Sequence, residues 1–426
     1  MKNASVGLAM LVAGCGAWAQ FTHQPHIAVD NTAAVQPEDG KKADTVRVEI
    51  GKPLQAAQEA MKAQRFTDAL AKIAETDAVP NKTAYEVLTI ARMRGAAALS
   101  AGQAELALKS FETVVSSGLL PAAEQARTLQ AMASVAYRAK DYARAASLAR
   151  RYFDLGGSDA GTRTVLVQSL YLSGGHADAA KELQAVLHEQ EKAGRVPDED
   201  QLKLLASCHA KLNDANGYQA VLEQLVAHHP KKEYWTDLLR RLPQRPGFAP
   251  RLSLDVYRLQ LATVGLASAS DHVEMAQLAL QDASPAEARR IVDRGFAAGV
   301  LGTGPDADRH KRLRELAAKA SAEEQRSLAN ADAEASAAAA AANGTGLFNL
   351  GWSLAQQGQA DKGLALMELG LKKGGLKRPE EARLHAGVAA WQARQYAKAT
   401  ALLKTVDGRD GAADIARLWL LVPNDP

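Results

Sequence analysis

The sequence predicts an all-α fold, an α-solenoid in which antiparallel helix pairs stack and a last amphipathic helix caps the C-terminal end. Three observations point there. Small residues recur twelve positions apart, as Gly95/Ala107, Ala133/Ala145, Ala276/Ala288, Gly351/Gly363 and Gly387/Ala399, and only Ala or Gly lets two antiparallel helices approach closely at both places. The second small residue of successive units, Ala69, Ala107, Ala145 and Ala179, returns after 38, 38 and 34 residues, the period of stacked helical repeats. Aromatic residues make up only 5% of a chain that is 47% hydrophobic. That composition suits helices meeting through small contacts, with no large central core to fill.

Along the chain, residues 1–19 carry Lys2, an apolar run over 6–13 and Ala17-Trp18-Ala19. This reads as an export signal, too short to span a bilayer, with cleavage leaving Gln20 first. A second reading stands beside it: Val12-Ala13-Gly14-Cys15 is similar to the lipobox of bacterial lipoproteins, with a signal over 1–14 and lipid on Cys15. The expected address is the periplasm, either free or as a membrane-anchored lipoprotein. Residues 20–51 form a flexible leader without sustained periodicity over 21–42. Within it, residues 45–50 alternate as a short extended segment, and Pro53 then suits a first helical turn.

Repeats are expected over 52–302 and 346–426. Unit one (53–76) places Ala57 and Ala69 at the small contacts. Unit two (84–117) carries Gly95, Ala107 and Phe111 and stops at Gly118, and unit three (123–155) closes at Gly156-Gly157. Unit four (161–190) turns at Gly174-Gly175, and unit five (198–229) stops at Pro230. Tyr218 stands in unit five where other units carry Ala, so looser packing is expected there. A diverged sixth unit has helices at 234–242 and 252–263 about the break Arg245-Pro246-Gly247. Unit seven spans 272–298. Residues 303–345 begin charged and end in the alanine run 337–342; they read as a long helix in place of a pair, or as a hinge. Units eight (347–372) and nine (381–406) follow. An amphipathic helix over 414–422 would cover the face that an open array leaves exposed.

These slots resemble those of the tetratricopeptide repeat over residues 53–422. The family's large aromatic at the start of the first helix is mostly missing, and its terminal proline appears clearly only as Pro230. The chain as a whole looks like exported tetratricopeptide proteins of Proteobacteria, with similar stretches around Ala56-Ala57-Gln58, Lys231-Lys232-Glu233-Tyr234-Trp235 and Leu376-Lys377-Arg378-Pro379. The resemblance implies a binding or assembly role, beside envelope energy-transduction or cell-wall machinery. It also implies that first helices line a concave surface, which selects Tyr137, Arg138, Gln168, Tyr171, Lys203, Lys211, Trp352, Trp391 and Gln392 as candidate binding residues. Cations and aromatics along a groove suit envelope proteins or extended peptide segments with acidic groups.

A net charge of +3 provides no row of cations for phosphates, so nucleic acid is not an expected partner. Membrane attachment is expected only through lipid at Cys15. Cys15 and Cys208 are the only cysteines, so the mature soluble form can form no internal disulfide. Cys208 reads as a buried apolar residue, and its neighbour His209 points about 100° away on a helix. His23 and His26 lie in the leader without a third ligand. Gly302-Thr303-Gly304-Pro305 lacks the Lys-Ser/Thr of a phosphate loop, and no Gly-x-Ser-x-Gly elbow occurs. No catalytic residue, metal or cofactor is therefore expected. Three functional classes remain: an adaptor for proteins, a glycan- or peptidoglycan-binding module using Trp352 and Trp391, and an enzyme whose site has no familiar motif.

Overall fold

The computed structural model describes residues 45–424, and every regular element among them is helical. In order these are α1 (Val48–Lys62), α2 (Phe66–Glu75), α3 (Ala84–Ser100), α4 (Ala104–Ser116), α5 (Ala122–Arg138), α6 (Tyr142–Asp154), α7 (Ala160–Leu172), α8 (His176–Lys192), α9 (Glu199–Lys211), α10 (Ala215–His228) and α11 (Lys232–Arg241). They continue as α12 (Ser253–Thr263), α13 (Ala269–Gln281), α14 (Pro285–Ala297), α15 (Ala307–Ser327), α16 (Ala331–Ala340), α17 (Thr345–Gln356), α18 (Ala360–Lys373), α19 (Pro379–Gln392), α20 (Tyr396–Leu403) and α21 (Ala412–Trp419). The export signal, the leader up to residue 44, Cys15, His23 and His26 lie outside the described residues. Contacts divide the chain into two compact units at Ala179/Ala180, within α8.

One turn recurs in eight of the helix pairs. Its αL residue is Gln64, Gly102, Lys140, Gly174, Asn213, Ala283, Gly358 or Arg394, with φ between +52° and +89°. In each case the next residue donates its N–H to the carbonyl five positions back, as Gln103 does to Ala98 and Ser284 to Ala279, both at 2.8 Å. This satisfies a carbonyl that the helix end leaves open. Asp141, Asp159, Asp198 and Asp214 then cap the following helices by accepting a backbone N–H.

The small residues act in two ways. In α17/α18 backbones touch: a Cβ on Gly351 would lie 2.5 Å from the Gly363 carbonyl oxygen, and one on Gly370 would lie 2.7 Å from that of Gly344. In α3/α4 and α19/α20 the vacancy instead receives a large side chain sixteen residues on, Phe111 against Gly95 and Leu403 against Gly387. Ala107, Ala133, Ala145, Ala276 and Ala288 are fully buried. In α10 the close approach falls at Gly217, against the His209 ring, one position before Tyr218. The Tyr218 phenol turns outward and donates to Asp237 at 2.8 Å, beneath the Arg241 guanidinium.

The first unit begins differently from the extended segment expected over 45–50. Val48 to Ile50 are helical, and Pro53 lies inside α1 rather than in its first turn. Ile50, Leu54 and Ala57 are all fully buried, a spacing of one helical face, so burial outweighs the alternating pattern. Arg47 anchors the start through a bidentate pair to the sealed carboxylate of Glu86, with Nε–Oε1 and Nη2–Oε2 both 2.8 Å. Glu86 also completes a capping box with Thr83. The Arg47 hydrogen bonds hold its carboxyl down at about 2.

In the second unit the chain returns on itself. α21 packs on α12 as well as on α19 and α20, where Ile415, Leu418 and Trp419 bury almost completely. Each such side chain contributes about 1.5–3 kcal/mol. The expected cap for an open end is therefore a closing element. Arg417 makes a bidentate pair with Glu223 at 2.8 and 2.9 Å, Arg251 pairs with Glu381 at 2.9 Å and with Asp410, and Ala249 N–H bonds the Asp410 carbonyl at 2.8 Å. The charged, alanine-rich stretch is two helices separated by a 3₁₀ turn, Leu328–Asn330. α15 lies on α14 and buries His310, Leu313, Ala317 and Ser321, while α16 buries only Ala331 and lies on α17. Alanine supplies helix propensity but little apolar surface, so this stretch does not close as a pair.

Gly351→Ala forces a methyl against the Gly363 carbonyl and is expected to cost about 1–3 kcal/mol. Urea unfolding measures the loss, and an unchanged midpoint would show that the two helices can separate freely.

Candidate functional site

A candidate site in the second unit is organised by α14. Ser284 precedes it and Pro285 opens it, and Glu287, Arg290 and Arg294 follow at spacings of three and four, which places them along one face. Glu287 turns into the interior. Its carboxylate receives Arg258 of α12 at two points, Nε–Oε1 3.0 Å and Nη2–Oε2 2.7 Å. Arg258 also donates to Asp255 at 2.8 Å and lies 3.5 Å from Asp282. From α19, His385 Nε2 stands 3.0 Å from Asp255 Oδ1 and 3.2 Å from Arg258 Nη1. Trp352 of α17 roofs the cluster, stacked on His385 at 4.9 Å, with the Arg258 guanidinium 4.8 Å from its ring and its indole N–H bonded to Ser284 at 2.9 Å.

The Arg258 side chain is 1% exposed and that of Asp255 2%, so their charges are held by one another. Burial alone would push Asp255 up, but His385 and Arg258 hold it at about 2. Burial likewise opposes the charge on Arg258, and Glu287 and Asp255 raise its pKa against it. For His385 burial favours the neutral ring, and Asp255 more than offsets it, so its pKa is raised. Burial raises Asp282. Three carboxylates face one guanidinium here, which is why a protonated His385 fits.

One turn further along α14, Arg290 reaches the end of α17. It donates to the main-chain carbonyl of Gln356 and to its side-chain oxygen, a cation placed where a helix leaves carbonyls open. The Gln356 amide nitrogen is left without a hydrogen-bond partner although the residue is only 5% exposed. An unsatisfied buried donor costs about 1–3 kcal/mol. A cleft of about 760 Å³ opens there, lined by Leu261, Arg289, Arg290, Arg294, Ser321, Gln356, Gln357 and Gln392 among others. Gln357 ties its rim to α15 through Glu324 at 2.7 Å. Asp293 is engaged by Arg314 at 2.7 Å and lies 3.6 Å from Arg289.

The nine residues selected from the sequence are divided between the two units, four in the first and five in the second. In the first unit, Tyr137 of α5 donates to Gln168 of α7 at 2.7 Å, Arg138 is exposed beside it, and Tyr171 lies against His176 at 5.1 Å. In the second, Lys203 is exposed and pairs with Asp200 within α9, and Lys211 is exposed at the end of that helix. Trp352 belongs to the buried cluster. Trp391 packs edge-on against Trp419 at 5.0 Å with its indole nitrogen buried, and Gln392 reaches the cleft. Trp352, 7% exposed, offers no open face for a sugar ring, and Trp391 is half-buried. Arg258, Glu287, Arg290, Gln356 and His385 were not selected, although the Glu287-Arg290-Arg294 spacing is visible in the sequence.

Cys208 is fully buried and burial pushes its thiol up to about 11, while His209 is engaged by Asp214 at 2.8 Å. No group of three or more metal-binding side chains occurs among the described residues. None of their helices is long and apolar enough to cross a membrane. A second cleft, of about 600 Å³ in the first unit, is lined by Lys82, Lys109, Glu112 and Arg144. There Arg144 pairs with Glu105 and Glu112 with Arg151.

Arg258→Met leaves Asp255 and Glu287 buried without their cation and is expected to cost about 3–5 kcal/mol. Chemical denaturation checks this, and a loss below about 1 kcal/mol would show that the cluster opens to water. Because the folded pKa of His385 is raised, its contribution is complete below about pH 6.5 and is lost as pH rises through the folded value. Asp255, depressed to about 2, contributes above about pH 4 and loses that contribution as pH falls. The stability difference between the wild type and His385→Gln should shrink steadily as pH is raised from 6. A pH-independent difference would show a neutral imidazole throughout.

No protein-family profile matches this sequence, and no curated protein matches it. Among solved structures, it is similar to a tetratricopeptide repeat protein from Parabacteroides merdae (10% identity, 63% of this chain and 98% of that one, TM-score 0.28). It is also similar to the TPR2AB domain of yeast Sti1 in complex with pHSP90 (13%, 70% and 99%, 0.23) and to the P58(IPK) TPR domain (12%, 87% and 98%, 0.23). The all-α assignment rests on the helix pairs of the chain itself.

Proposed function

We propose that the protein is an exported scaffold of helix pairs that binds protein partners in the bacterial cell envelope and carries out no catalysis. It acts in the periplasm, free or held to a membrane by lipid on Cys15. The carrying observation is the Tyr137–Gln168 hydrogen bond at 2.7 Å. It fixes amphipathic side chains of two successive first helices, α5 and α7, side by side next to the exposed Arg138. Tyr and Arg are the residue types that anchor protein interfaces, and a surface ordered before binding loses less entropy on association. The scaffold reading is also supported by the buried charged groups Asp255 and Arg258 being sealed against one another.

A photoreactive side chain introduced at Arg138 or at Lys211 in cells should give discrete, reproducible crosslinked proteins, and Tyr137→Ala should weaken those formed from Arg138. Absence of discrete products at both positions would overturn the scaffold reading. The mass of the mature N-terminus tests the address: a free Gln20 or an acylated Cys15 agrees with export, and a chain retaining Met1 in the cytoplasm contradicts it.

A further inference from the structure

We propose that the cleft between α14 and α17 is a binding site for a small oxyanion ligand, a phosphate ester or a carboxylate, separate from any surface used by protein partners. Two independent observations point to it. Arg290 lies at ion-pair distance from no carboxylate among the described residues; its donors go only to the two neutral oxygens of Gln356. Glu287, the acid nearest on the same face, is taken by Arg258. Arg290 is exposed on the cleft; partial burial and the Arg258 charge bear on it unfavourably, and Glu287 and Glu324 offset them only in part. A cation so placed wants an anion.

The second observation is the Gln356 amide. Arg290 holds its oxygen, so its nitrogen is the end left over, and it has no acceptor in a residue 5% exposed. A ligand oxygen arriving beside Arg290 would meet this donor after a small turn of the amide. One turn further along, Arg294 is exposed on the cleft wall and makes no hydrogen bond or ion pair among the described residues. Two guanidinium groups therefore line a space whose own carboxylates are already engaged, Glu287 by Arg258 and Asp293 by Arg314. Planar guanidinium forks match phosphate and carboxylate oxygens. The cleft of about 760 Å³ has the size of a small-molecule site.

The full mature protein is titrated by calorimetry in a chloride buffer, at constant ionic strength, with inorganic phosphate, with succinate and with the peptide acetyl-Glu-Glu-Glu-amide. Saturable binding of phosphate or succinate is expected, and whichever binds identifies the oxyanion. Arg294→Glu, an exposed change, should weaken that binding about tenfold or more while leaving the melting temperature without ligand unchanged. Gln356→Glu places a carboxylate against Arg290 and should abolish binding while raising the melting temperature, since it supplies the missing anion from within. Binding of neither small anion, binding undiminished by Arg294→Glu, or binding of the peptide alone would each overturn the assignment. Crosslinking at Arg138 and Lys211 reads the scaffold role independently, so the two proposals fail separately.

Discussion

The second unit depends on one buried guanidinium. Arg258 is surrounded by Glu287, Asp255, His385 and the face of Trp352, groups supplied by α12, α14, α17 and α19. Taking these charges out of water is expensive, and attraction between them repays that cost only where geometry and hydrogen bonding are nearly complete. Hydrophobic contacts would accept several registers of α19 against α12, because they are not directional. The forked guanidinium accepts one. It thereby decides that residues near 385 return to residues near 258, and the outer ion pairs of Arg251 and Arg417 follow from that return.

The same arrangement accounts for the polar groups left open at the cleft. Glu287 faces inward to Arg258, so the next charged residue on that face of α14, Arg290, has lost its natural counter-ion and turns to the open end of α17. Gln356 satisfies the arginine with both its oxygens and is left short at its own nitrogen. The polar imbalance of the cleft is thus a consequence of the balance achieved one turn deeper.

Helix pairs were readable because their causes are local. Small residues at fixed spacing and glycine or proline stops after helices each act within a single pair, and even the diverged pair around Arg245-Pro246-Gly247 appears as α11 and α12. The turns were half hidden, since Gln64, Lys140, Asn213, Ala283 and Arg394 adopt the left-handed conformation without being glycine. At the start of α1 the alternation of residues 45–50 points to an extended segment, whereas burial of Ile50 and Leu54 against the following helices decides for helix. The buried cluster was not legible at all. Arg258 and His385 are 127 residues apart, and each resembles any charged residue on a helix. Trp352 was placed in a groove by its position beside Gly351, and only the return of α19 turns that position into interior. Gln392 reached the cleft for the same reason.

Closure of the second unit changes how it can come apart. In a linear array each pair leans only on its neighbours, so ends fray and openings spread pair by pair. Joining α21 to α12 and α19 to α12 removes the free end from which such fraying starts. Detaching the last pair exposes the Arg258 cluster, whose charges then lack both partners and full hydration, so partial opening is penalised more heavily than in an unclosed array. The second unit should consequently lose its structure in a single concerted step, with local breathing confined to segments such as α16 that lie outside the loop of contacts.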